Sequence, residues 1–255
     1  MSVIDIRCGD TLPAVGVLQL LLNRAGASLT LDGVFGQHTE DAVKAFQRQR
    51  SIPQTGQANG TLFDRLAVGE TLPILDSVDV TDPSLATMEV ADITRAGGRV
   101  VQRAGMSNGV GQAIQDIVSS GSALFLLRMH GHGTGGNIGM SDGHGIAGQH
   151  RTDLDASTIR AIQAELGRLR GVFGSYGCVQ LMACNTGQGP QGRSLLRQLA
   201  DIWNVPVSAG IQTQFAGGLS KSIRFEGPTI TVCPGGRSLG QWVRSLPAFV
   251  GMSVV

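Results

Sequence analysis

Two different spacings of apolar positions divide the chain. In the first part, Val15, Leu18, Leu21, Leu22 and Ala25 recur at i, i+3 and i+4, which predicts a helix, and Pro13 sits where a first-turn proline is tolerated. A second helix is expected from Glu40 to Arg50, with Thr39 as its N-cap, Glu40 and Asp41 at the positive end of the dipole, and Ala42, Val43 and Phe46 facing inward. A third fits Thr61 to Leu66, and Asp32-Gly33 and Gly36 mark the turn between the first two. From Gly69 to Ser84 the pattern lapses into prolines and acidic residues and reads as a linker with room for an edge strand.

Beyond it, short apolar runs alternate with helical periods. Strands are expected at Met88 to Thr94, Gly98 to Gln102, Ala123 to Met129 (broken only by Arg128), Val179 to Ala183 and Val205 to Ser208. Helices are expected at Val110 to Val118, Asp155 to Leu169, Ser194 to Trp203 and Leu239 to Val243. Ile223 to Phe225 and Ile230 to Cys233 read as a hairpin around Gly227-Pro228. Apolar strands alternating with helices imply an α/β fold with a mainly parallel sheet covered on both faces. The expected organisation is a helical module at 1–67, a linker at 68–84 and an α/β domain at 85–255.

Composition narrows the function classes. Apolar residues make up 42% and charged residues 15% of the 255, a globular balance. Net charge is +1, lysine occurs only at Lys44 and Lys221, and no basic stripe is available to displace counterions, so nucleic acid is not an expected partner. No run approaches the ~20 apolar residues of a membrane span. The first residues lack a basic region followed by a long apolar run, so no secretory signal is expected, leaving the cytoplasm or export by a non-standard route. Cys8, Cys178, Cys184 and Cys233 form neither a metal-binding spacing nor a disulfide framework.

The helical module carries a specific pattern: Gly9-Asp10, Val15, Leu18-Gln19, Leu22-Asn23, Asp32-Gly33-Val34-Phe35-Gly36, Thr39, Ala42-Val43, Phe46-Gln47, Gly56 and Thr61. It resembles the three-helix peptidoglycan-binding domains of bacterial cell-wall proteins, and the resemblance implies docking on glycan-peptide strands. Most of the matching residues are core and turn positions, so they mark the fold and single out no ligand contact.

The candidate chemistry lies at the ends of two apolar strands. One is Leu124 to Met129 followed by His130-Gly131-His132-Gly133; the other is Val179 to Ala183 followed by Cys184-Asn185-Thr186-Gly187. Residues just past the carboxyl ends of parallel strands lie at the functional edge of such a sheet. A histidine and a cysteine brought together there make a Cys-His hydrolase pair. Apolar strand then His-Gly, later apolar strand then Ala-Cys, resembles the clan of caspases, metacaspases and gingipains. The resemblance covers about residues 86–242 and implies a caspase-like, mainly parallel α/β/α sandwich with cysteine peptidase activity on protein or peptide substrates. It implies Cys184 as nucleophile, His132 as general acid and base, the backbone N–H groups of Gly133 and Cys184 as oxyanion donors, and no cofactor or metal. His130 is the alternative histidine, with a buried, hydrogen-bonded ring as its plainer reading. Asp142 and Asp153 are candidate acids for a specificity pocket, and solvated loop acids otherwise. No acidic residue lies between Asn185 and Arg193, a departure from the metacaspase pattern.

Three other readings stay open from sequence. His130, His132 and His144 or His150 are candidate ligands of a zinc-dependent cell-wall peptidase, although no H-E-x-x-H is present. The chain also reads as a non-catalytic wall-binding protein, or as a delivered effector.

Overall fold

The computed structural model describes residues 3–102, 110–139, 153–215 and 223–250. The first part holds β1 (Asp5–Ile6), α1 (Pro13–Arg24), α2 (Gln37–Gln49), β2 (Ala58–Asn59) and α3 (Gly60–Leu66). β1 and β2 pair antiparallel and tie the two ends of the bundle together. Pro13 opens α1, as its position predicts. α2 starts earlier than expected, with Gly36 at its N-cap; Thr39 lies inside the helix, buried, with its hydroxyl 3.4 Å from Gln19 Nε2. Gln19 Oε1 accepts the N–H groups of Asp32 and Gly33, which fixes the turn between the helices.

The remainder contributes β3 (Ile74–Val78), α4 (Pro83–Arg95), β4 (Val100–Gln102), α5 (Val110–Ser120), β5 (Leu124–His130), β6 (Gly133–Thr134), β7 (Asn137–Gly139), β8 (Asp153–Asp155), α6 (Gln163–Gly167), β9 (Phe173–Met182), α7 (Gly189–Trp203), β10 (Val207–Gly210), β11 (Thr229–Val232) and α8 (Leu239–Arg244). Among the described residues, six strands form the main sheet in the order β11-β10-β9-β5-β3-β4, all parallel except β11. The fold is α/β with a mainly parallel sheet, as the alternation of apolar runs predicts.

Four expectations are corrected. Residues 68–84 contain β3, an internal strand between β5 and β4, rather than only a linker. Its polar residues are accommodated because Asp76 stands in register with Arg128 of β5. Met88 to Thr94 is not a strand but part of α4, which Asp82 caps by accepting the N–H groups of Ser84 and Leu85. Asp155 to Leu169 is not one helix: β8 ends at Asp155, and 3-10 turns flank the short α6. Residues 223–233 form no hairpin, because β11 pairs with β10.

Alternation along the strands sends side chains to opposite faces. On one face Leu75, Leu127, Met129, Val179, Leu181 and Val207 pack under α5, α6 and α7. On the other, Val78 packs with Ala86 and Ile93 of α4. The rest of that face carries Phe125, Leu126, Cys178 and Met182, which share one core with Val15, Leu18, Leu22, Phe46 and Phe63 of the bundle. Phe63 stacks on Phe125 with ring centroids 6.1 Å apart. The helical bundle therefore serves as a covering layer of the sheet. α8 closes against it: a Cβ at Gly16 of α1 would lie 2.9 Å from Val243 Cγ1, a contact that only glycine permits.

Candidate active site

β5 and β9 are neighbours, and their register sets His130 beside Met182. Two residues further along each chain lie His132 and Cys184, both past the carboxyl edge of the sheet. Asn185 adopts φ 55, so the chain turns sharply right after Cys184. Gly133 packs against that turn: a Cβ there would lie 2.8 Å from Ala183 Cβ and closer still to Thr186 Oγ1. The two motifs are thus drawn together by strand pairing and by a glycine with no room for a side chain.

A cavity of about 100 Å³ opens at this edge, lined by Leu85, Glu89, His130, Gly131, His132, Met182, Ala183, Cys184, Gln214 and Phe215. Both expected catalytic residues line it. Their link is the shared cavity rather than a direct hydrogen bond. Cys184 Sγ lies 3.3 Å from the carbonyl oxygen of Gln214 and 3.4 Å from its N–H. The Gln214 side chain is fixed in turn: its Nε2 donates to the Glu226 carbonyl and its Oε1 accepts the Glu226 N–H. His132 is two-thirds exposed, and its Nε2 lies 3.0 Å from Asp82 Oδ2. Asp82 is itself pinned at the N-terminus of α4, its Oδ1 accepting from Ser84 Oγ and two backbone N–H groups. The hydrogen bonds from Ser84 and His132 hold the Asp82 carboxyl well below the usual carboxylate range. An ionised Asp82 accepts a hydrogen bond from the Nε2–H of His132, which sets Nε2 as the protonated ring nitrogen.

Beneath the cavity lies a buried ionic network that sequence reasoning missed. Arg128 donates through Nε and Nη2 to both oxygens of Asp76, at 2.6 and 2.9 Å, and through Nη1 to the carbonyl of Ile223. His130 Nε2 lies 2.9 Å from Asp76 Oδ1, and its Nδ1 lies 3.6 Å from Glu89 Oε1. Burial resists the charge of His130, but the hydrogen bonds to Asp76 and Glu89 outweigh it and raise its pKa. Burial would raise Asp76, yet the Arg128 charge and His130 hold its pKa down. The signals were present as polar interruptions of apolar runs, Arg128 in β5 and Asp76 in β3. Glu89 was hidden by reading α4 as a strand.

His130 is fully buried and anchored, its plainer reading. Asp153 lies on β8, where it accepts a hydrogen bond from Asn137 Nδ2, and does not line the cavity. Asp142, His144 and His150 lie outside the described residues. Cys178 and Cys233 are buried thiols that burial pushes up, Cys233 to about 11, which makes them poor nucleophiles. Cys8 is exposed on the helical bundle.

Comparison with known proteins bears on the bundle. Residues 11–66 match the family model described as "Putative peptidoglycan binding domain". The peptidoglycan-binding-type module thus spans α1 to α3 and stops before β3. A solved structure titled as a peptidoglycan-binding protein from Clostridioides difficile, in complex with glutamine hydroxamate, is 27% identical over 26% of this chain and 42% of that one, with a TM-score of 0.25. The chain therefore spans less than half the length of that protein. No curated protein matches. The family match ends before the first residue that lines the cavity.

Proposed function

We propose that the chain is a caspase-like cysteine endopeptidase acting on protein or peptide substrates, targeted or regulated by a module that binds peptidoglycan. The observation that carries this reading is the placement of His132 and Cys184 two residues beyond a paired strand register, on one cavity.

The chemistry is acyl transfer. The Cys184 thiolate attacks the scissile carbonyl and forms a C–S bond. The carbonyl oxygen gains the negative charge, which the backbone N–H groups of Gly133 and Cys184 would stabilise as that oxyanion develops, as the caspase-like resemblance implies. The C–N bond breaks as His132 gives its proton to the leaving amine. Water, losing its proton to His132, then attacks the thioester and releases the acid and the thiol. Asp82 is a positioning residue: it holds Nε2, so that Nδ1 is the ring nitrogen left for the reacting atoms.

The zinc reading is less well supported, because His130 already commits Nε2 to Asp76 and is buried beneath the cavity. Cleavage of a peptide substrate with iodoacetamide or with a chelator separates the two. Loss on alkylation and survival under chelation is expected; the opposite result would sink the cysteine mechanism. For the module, sedimentation with insoluble peptidoglycan is expected to carry the protein down, and its absence from the pellet would leave the module a structural layer only.

A further inference from the structure

Resting on the peptidase reading, we infer that Glu89 selects a basic side chain, lysine or arginine, in the residue before the scissile bond. Glu89 lines the cavity that holds His132 and Cys184, and its side chain is 9% exposed. Oε1 faces His130, but Oε2 is buried and has no hydrogen-bond partner among the described residues. A buried carboxylate oxygen left in that state is costly unless something pairs with it.

The neighbouring groups do not supply that partner. Arg128 is committed to both oxygens of Asp76 and to the Ile223 carbonyl. Asp76 Oδ1 already receives both Arg128 and His130. The Gln214 side chain is occupied by the backbone of Glu226. Glu89 therefore brings to the lining of this cavity a desolvated carboxylate whose Oε2 has no partner among the described residues. An ammonium or guanidinium donates to it with charge assistance. An aspartate there meets carboxylate repulsion, and an uncharged side chain leaves Oε2 unpaired. One free oxygen accepts a lysine as readily as one arm of an arginine, so both are accepted. The remaining walls, Leu85, Met182 and Ala183, suit the methylene stem of either side chain.

The test is a set of peptides differing only before the scissile bond (Lys, Arg, Gln or Asp), cut by wild type, Glu89→Gln and Cys184→Ala. Wild type is expected to favour Lys and Arg over Gln by about tenfold or more in kcat/KM, and to cut after Asp worst. Glu89→Gln is expected to bring the ratio of Lys to Gln near one while cleavage after Gln persists. A wild-type preference for Asp or Gln, or an unchanged ratio in Glu89→Gln, overturns the assignment and leaves the peptidase reading intact. Absence of cleavage by wild type overturns both. Should Glu89→Gln fail to fold, wild type alone decides: a peptide aldehyde ending in lysine must protect Cys184 from iodoacetamide better than one ending in aspartate. Equal or reversed protection overturns the assignment.

Discussion

Asp82 performs two tasks at once. Its Oδ1 caps α4 and its Oδ2 holds His132. Asp82→Asn keeps the shape and much of the cap but removes the charge that fixes the ring. It is expected to lower kcat by about tenfold to a thousandfold with little change in KM, while Asp82→Glu restores part of the loss. An unchanged kcat in Asp82→Asn would make Asp82 a helix cap only. His130 offers a second test at this scale. Its proton is held more tightly in the native state than in the unfolded chain, where the value is 6.5. The stability this contributes is full below that value and lost as pH rises through the raised native pKa. Melting temperature is expected to fall as pH rises above 6.5 in wild type, and less steeply in His130→Gln; equal slopes would contradict the network. Of these residues, the sequence showed His132 and Cys184 plainly, since glycine-flanked polar residues after apolar runs need no tertiary information. Asp82 and Glu89 were not legible there, because they come from α4 and act on β5 only through strand pairing.

The misread elements share a cause. Met88-Glu89-Val90 alternates like a strand, yet Ala86, Val90 and Ile93 repeat like a helix, and the Asp82-Pro83 start decides for the helix. β3 looked like a linker because Pro73 precedes it and Asp76 interrupts it, and only the partner Arg128, fifty-two positions away, makes a buried aspartate tolerable there. The elements with one consistent period, α1, α5, α7, β5 and β9, were legible from apolar spacing alone. A contact between elements gives the sharpest stability test. Gly16→Ala drives a methyl into Val243 of α8, an overpacking expected to cost about 1–3 kcal/mol. Pairing it with Val243→Ala should restore most of the loss, and a neutral single variant by thermal melting would show that α1 and α8 are not in close contact.

Across the whole molecule, the peptidoglycan-binding-type module is not a bead on a string. It covers the sheet face that carries Phe125, Leu126, Cys178 and Met182, and Arg224 pairs with Asp10 across the same boundary. Deleting residues 1–67 is expected to give an aggregating or dye-binding protein rather than a free catalytic domain, since a large apolar patch would face water. A well-folded, monomeric remainder would refute the shared core. The same arrangement gives a physical route from module to cavity, because Met182, two residues before Cys184, packs in the core the module completes. The central claim is that Cys184 and His132 cut peptide bonds, and the most direct measurement is a positional-scanning peptide library read by mass spectrometry with wild type and Cys184→Ala. The account predicts defined cleavage by wild type and none by the variant. Cleavage retained in Cys184→Ala, or no cleavage by either protein, would contradict it.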